Sequence, residues 1–219
     1  MKSALMSIIV ISSILLIASA GTYAYFSDTD TIVGNTFSAG TFNLQIKDND
    51  EPWRDGVPVT ATWTAANMKP GQEYPFDAPM INLWNDGTVQ ADHLEISVDY
   101  TVNEENPVSE ADTDPHTDLH PDTMAKYIIV TKCQYWDSYG VNCLTDPDPD
   151  KRIIDTDGDG KITFYDFKNH PLDNLPRIVN GGTGGFQMSM KFDENAGNDF
   201  QGDTFNLNAY FTLNQAASQ

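Results

Sequence analysis

Three stretches of the chain alternate apolar and polar residues with a period of two. Phe42, Leu44 and Ile46 form the first, Leu94, Ile96, Val98, Tyr100 and Val102 the second, and Phe205, Leu207, Ala209, Phe211 and Leu213 the third. Successive side chains of a strand point to opposite faces, so each stretch predicts a strand with one buried and one wet face. Shorter apolar runs predict four more strands, at Val59 to Trp63, Met80 to Trp84, Lys126 to Trp136 and Met188 to Phe192. Turn signals separate them, among them Lys69-Pro70-Gly71, Asn85-Asp86-Gly87 and Gly181-Gly182. No long run has helical periodicity. Seven or more strands in one chain predict an all-β domain, a sandwich or a jelly roll.

Two segments interrupt the alternation. Residues 103–122 are rich in Glu, Asp and Pro, and residues 146–185 hold most of the remaining Asp, Pro and Gly. Neither composition builds a core of its own, so both read as acidic loop insertions between strands. A rigid scaffold carries its function most often on such loops. There is no internal repeat.

The chain opens differently. Lys2 precedes a seventeen-residue apolar run from Ala4 to Ala20 that ends in the small residues Ala18-Ser19-Ala20, with the small-bulky-small Thr22-Tyr23-Ala24 just beyond. A basic start, an apolar stretch and small residues at a cleavage point are the parts of a secretory signal peptide, assigned here to residues 1–24. Seventeen residues is the lower edge of a membrane span. The next residues, Ser27-Asp28-Thr29-Asp30, are not a basic stop-transfer cluster, so the mature form is expected not to span the membrane.

The remaining chain of about 195 residues is long enough for one substantial β core. Losing Lys2 moves the net charge from −20 to −21, with 32 acidic residues retained. Nucleic acid is excluded as a partner, because phosphate binding needs clustered Lys and Arg. Acidity of this kind suits solubility outside the cell or the binding of divalent cations. Two cysteines, Cys133 and Cys143, are present. Two thiols cannot complete a four-ligand zinc site and no Cys-x-x-Cys is present, so in an exported chain they are expected to form a disulfide.

The sharpest local pattern is Asp155-Thr-Asp157-Gly-Asp159-Gly160-Lys161-Ile162-Thr163-Phe-Tyr-Asp166. Counted from Asp155, carboxylates fall at positions 1, 3, 5 and 12, glycine at 6 and a β-branched apolar residue at 8. That is the EF-hand calcium-loop pattern with Asp at the last place. Short carboxylates on alternate residues wrap one side of an ion. Gly160 permits the turn that brings the Lys161 carbonyl in, and Asp166 closes the sphere from a short helix, Phe164 to Asn169, ended by Pro171. The segment resembles the loops of dockerins and related extracellular calcium modules. Pro147 and Pro149 break the incoming helix, which points to a structural calcium clip and away from a sensor that opens a helix pair.

Other constellations carry less. His116-Thr-Asp-Leu-His120 sits between Pro115 and Pro121 and lacks the glutamate of His-Glu-x-x-His, so both read as solvated loop histidines. Neither they nor His93 and His170 have the spacing of a catalytic zinc site. There is no Gly-x-Ser-x-Gly elbow, and Gly181 to Gly185 lacks the context of a phosphate cradle. The expectation is a protein without enzymatic activity.

Gly21-Thr-Tyr-Ala-Tyr-Phe-Ser-Asp28, followed by Asn35-Thr-Phe37-Ser-Ala39-Gly40-Thr-Phe-Asn-Leu44, closely resembles the precursor N-terminus of the TasA/camelysin family of secreted fibre proteins. Met68-Lys-Pro70-Gly71, Ile81-Asn-Leu-Trp-Asn-Asp-Gly87 and the ending Phe211-Thr-Leu-Asn-Gln215 are similar as well. The two insertions have no counterpart in that pattern. The resemblance implies a jelly-roll β-sandwich, here at 37–219, that polymerises outside the cell, as in biofilm-matrix fibres, archaeal bundling pili and calcium-dependent cannula-type tubes. It implies too that residues 25–36 of one subunit complete the sheet of the next, head to tail, with Tyr25, Phe26, Ile32 and Val33 as the apolar residues of the donor strand. The composition agrees, since a short polar and β-branched segment freed by cleavage can pair with an exposed sheet edge. The partner is therefore another copy of the chain, with other matrix or cell-surface proteins as further candidates. A camelysin-type secreted metalloprotease and a monomeric calcium-dependent surface-binding module are the alternatives.

Overall fold

The computed structural model describes residues 43–48, 52–55, 59–66, 68–75, 81–104, 119–137, 140–197, 199–200 and 202–215. The signal peptide, the donor segment 25–36, Phe42, His116 and most of the first insertion lie outside the described residues.

Eleven strands are present among the described residues: β1 (Leu44–Asp48), β2 (Arg54–Asp55), β3 (Val59–Ala66), β4 (Glu73–Pro75), β5 (Ile81–Asn85), β6 (His93–Asn103), β7 (Ile128–Trp136), β8 (Val141–Asn142), β9 (Leu172–Pro176), β10 (Thr183–Phe192) and β11 (Thr204–Asn214). They form two antiparallel sheets. The first runs β2-β1-β5-β10-β7-β8, with β4 also on β10, and the second runs β3-β11-β6-β9. The chain is an all-β sandwich, as the alternation predicts. It crosses between sheets repeatedly, so the core is sealed by residues far apart in sequence.

Both long predicted strands bury the faces their alternation marks. Leu94, Ile96, Val98, Tyr100 and Val102 of β6 are buried, and so are Phe205, Leu207, Ala209 and Phe211 of β11. Register pairs them across the ladder, Ile96 with Phe211 and Tyr100 with Leu207. From the opposite sheet come Leu44 and Ile46, Ile81 and Leu83, and Phe186, Met188, Met190 and Phe192. Phe186 meets Phe211 edge-on at 5.5 Å across the sandwich. In β7 the pairing steps from Lys132 with Ser189 to Val130 with Met190, leaving Thr131 as an extra residue. This bulge reverses the pleat, which puts Ile128 and Val130 inside on one side and Cys133 and Tyr135 inside on the other.

The segment 146–185 differs from its reading as a loop insertion. It contains a 3-10 turn (Pro149–Lys151), a helix and β9, and it buries Ile153, Phe164, Phe167, Leu172, Leu175 and Ile178 in the shared core. The acids and prolines between these residues hide them from any test of periodicity. Two short helices cover the ends, α1 (Pro121–Ala125) and α2 (Phe164–Asn169), the latter matching its predicted range.

Tyr135 of β7 donates its hydroxyl to the carbonyl of Pro176 at 2.7 Å and so ties one sheet to the edge strand of the other. Tyr135→Phe keeps the ring and leaves that carbonyl without its donor. A loss of about 1–3 kcal/mol is expected from urea denaturation. An unchanged midpoint and slope would show that solvent replaces the bond.

Candidate metal centres

The acidic loop follows β8 and runs into α2. Carboxylate oxygens of Asp155, Asp157 and Asp159 all lie within 4.8 Å of one another. Their placement comes from the loop's own backbone. Asp155 accepts from the amides of Gly158 (2.7 Å) and Gly160 (2.8 Å), and Asp159 accepts from Lys161 (2.8 Å). Gly158 and Gly160 both have positive φ, at 77° and 84°, the conformation that bends the loop around its centre. Ile162, half-buried against the core, anchors the loop as its position implies. Its carbonyl accepts from the Val130 amide at 2.8 Å, and Thr163 forms an antiparallel bridge with Ile129. The loop is thus pinned to the open flank of β7.

Three carboxylates this close repel one another, and one protein cation partly offsets them. Lys126, at the end of α1, reaches Asp157 at 2.9 Å while lying over the Tyr165 ring at 4.2 Å. Its ammonium holds the Asp157 carboxyl below the ordinary carboxylate range. A cleft of about 480 Å³ opens here between α1 and the loop. The oxygen-only donor set suits a hard cation.

Asp166 stands apart from this trio. It is fully buried and its carboxylate takes four hydrogen bonds, from the amide and hydroxyl of Thr156 (both 2.8 Å) and from those of Thr163 (2.9 and 2.8 Å). The Thr163 contacts are half of a capping box that starts α2. All the lone pairs of Asp166 are engaged, so ligation by it requires Thr156 or Thr163 to yield. Lys161 sends its side chain to Asp193.

A second cluster lies on the outer face of the second sheet. His93 opens β6 with only 3% of its surface exposed. Its Nδ1 lies 3.2 Å from an Asp92 oxygen. Its Nε2 faces Asp173 of β9 at 3.1 Å, Glu95 at 3.5 Å and the side-chain amide of Asn214 at 3.3 Å. Sequence reasoning missed this group. His93 and Glu95 share one face of a predicted strand, which was the one visible signal, but Asp173 and Asn214 reach them only through the sheet.

A family model described as camelysin metallo-endopeptidase matches residues 1–139, well over half of the chain. The chain belongs to the camelysin family. A comparison with curated proteins finds none that matches. Camelysin and TasA-like proteins form one family, as the N-terminal motifs imply, and its members are typically secreted or surface-associated. The family carries a metallo-endopeptidase name while its TasA-like members are structural. Among the described residues no helix is long and apolar enough to cross a membrane. The match ends before the acidic loop, so the camelysin model covers His93 and Glu95 but neither Asp173 nor any predicted calcium ligand.

The camelysin match also ends between the two cysteines. Both are fully buried, and in this structure they are free thiols. Cys143 continues the β7–β8 pairing of Gln134 with Asn142 and sits directly opposite Cys133, to whose carbonyl its amide donates at 2.9 Å. Burial pushes the Cys133 thiol well above its usual range, and the neighbouring Cys143 side chain adds to this. Opposed residues of an antiparallel pair have Cα atoms about 4.5–5.5 Å apart, within the reach of a disulfide. Oxidation during export is therefore expected to join them without moving the backbone. Thiol labelling of denatured, unreduced secreted protein should find none free; two labelled thiols per chain would contradict the bond.

Proposed function

We propose that the chain is a structural subunit of an extracellular filament, pilus or tube, built head to tail by donor-strand complementation and stiffened by calcium. The observation that carries this reading is the edge of the second sheet at β3. Among the described residues no strand pairs with the outer side of Val59–Ala66, the longest of the edge strands. The other edges are blunted. β2 and β8 have two residues each, and β9 carries a register shift against β6 and ends in Pro176. A long edge left unpaired by the described residues is a template for another chain, and natural proteins cover such edges unless they use them. Residues 25–36, freed by cleavage, supply the matching strand.

Calcium is assigned to Asp155, Asp157, Asp159, the Lys161 carbonyl and, once a threonine yields, Asp166. The converging trio supports this, because three carboxylates within 4.8 Å gain most from a divalent cation between them. The ion stiffens the junction of α1, α2 and β7.

Size-exclusion chromatography of the secreted chain with calcium and with a chelator tests the reading. Polymer in calcium and shorter species without it are expected. A monomer in both conditions would favour a surface-binding module. A zinc-dependent peptidase, the alternative raised by the family's description, would instead digest an unfolded protein substrate under the same conditions.

A further inference from the structure

The geometry points to a zinc-class metal site at His93, Glu95, Asp173 and Asn214, a structural tie across one end of the second sheet and separate from the calcium loop. It does not rest on the filament reading. A neutral imidazole has one N–H and one lone pair. Nδ1 lies 3.2 Å from an Asp92 oxygen, and Nε2 faces oxygens of Asp173 and Glu95 together with the side-chain amide of Asn214. Two carboxylates converging on one ring nitrogen favour a cation between them. A single proton on Nε2 satisfies one of these acceptors, whereas a metal ion satisfies all of them together.

The spacing fits a small tetrahedral ion. With metal–ligand bonds of about 2.0–2.1 Å, neighbouring ligands of a tetrahedron lie about 3.3–3.4 Å apart. The Nε2 distances to Asp173, Asn214 and Glu95 are 3.1, 3.3 and 3.5 Å. Turning the Asn214 amide over brings its carbonyl oxygen to the fourth corner, in place of the nitrogen that now faces Nε2. His93 of β6 and Asn214 of β11 are direct register partners, so this corner is fixed by the ladder itself. Oxygens alone would suit calcium at longer bonds; a buried imidazole with two carboxylates suits zinc.

The surroundings agree. Asp92 against Nδ1 is the outer carboxylate that commonly orients a metal-bound histidine and raises its basicity. Four protein ligands make a closed set, which is the mark of a structural site. The ion would join β6, β9 and β11, with Asp173 holding the irregular edge strand.

The test uses the untagged secreted chain, stripped with a chelator and titrated with cobalt(II) and zinc. One equivalent should bind, with the intense visible absorption of tetrahedral cobalt, and X-ray absorption of the zinc form should show one imidazole nitrogen among oxygen ligands. Glu95→Gln with Asp173→Asn should weaken binding by at least about 100-fold, more than the loss of an outer-shell partner. Asp157→Ala with Asp159→Ala should leave it unchanged. Nitrogen NMR of the His93 ring in the wild-type chain gives a reading independent of any variant, since zinc should shift Nε2 and leave Nδ1 protonated. An unshifted ring, binding that survives the Glu95 and Asp173 changes, or binding that disappears with the loop carboxylates would each overturn the assignment.

Discussion

Deletion of residues 25–36 is expected to leave a folded monomer that forms no fibres. Among the described residues the sandwich core is built from β1 onward, beginning at Leu44. On the proposed assembly the deleted segment would add to a neighbour's sheet. There Tyr25, Phe26, Ile32 and Val33 would bury apolar surface worth roughly 1.5–3 kcal/mol per side chain. Association costs about 4–15 kcal/mol, so these four side chains alone come close to break-even. Ladder bonds to the β3 edge, unpaired among the described residues, would tip the balance at about 0.5–1.5 kcal/mol each. Circular dichroism of the truncated chain should match the intact one while electron microscopy finds no fibres. The free 25–36 peptide should cap chain ends and slow growth of the intact protein. Fibres of normal length and abundance from the truncated chain would rule out donation by this segment.

Asp157→Ala with Asp159→Ala should abolish calcium binding and the stability that comes with it. At a calcium concentration one hundred times Kd, binding to the folded state adds about 2.7 kcal/mol. For a domain of this size that is a rise in Tm of roughly 5–10 °C, present in the wild type and missing in the variant. Lys126 supplies the opposite control. Its ammonium sits against Asp157 at 2.9 Å and competes with any ion there. Lys126→Met keeps much of the stem over Tyr165 and should tighten calcium binding several-fold, whereas a loop that owes nothing to calcium would respond to neither change. Calorimetry reads both.

How much of this was legible depended on what set each element. Wherever burial on one face set a strand, the period of two revealed it, as in β6 and β11. Where long-range pairing set it, the sequence was silent. β9 has two core leucines three residues apart, and Asn174 between them takes a positive φ of 53°, so no alternation survives. β4 is held by its ladder to β10 and has no apolar pattern. The site divides in the same way. The acidic loop is contiguous, so its ligand spacing could be read directly, but the buried carboxylate of Asp166 is committed to two threonines by the tertiary structure, which spacing cannot express. The His93 cluster draws on three strands and could be found only in space.

The pinning of Ile162 and Thr163 to β7 bears on what calcium controls. β8 shields only the Gln134 and Tyr135 end of that strand, and the loop shields Ile129 and Val130. If calcium holds the loop as proposed, stripping it should loosen the loop and uncover a second place on β7 where foreign chains can attach. Depletion should then alter the form of the product as well as its quantity, replacing single unbranched threads by tangled clumps. Light scattering and electron microscopy of chelated protein would show it, and dispersed threads of ordinary calibre would mean the flank stays shut without its ion.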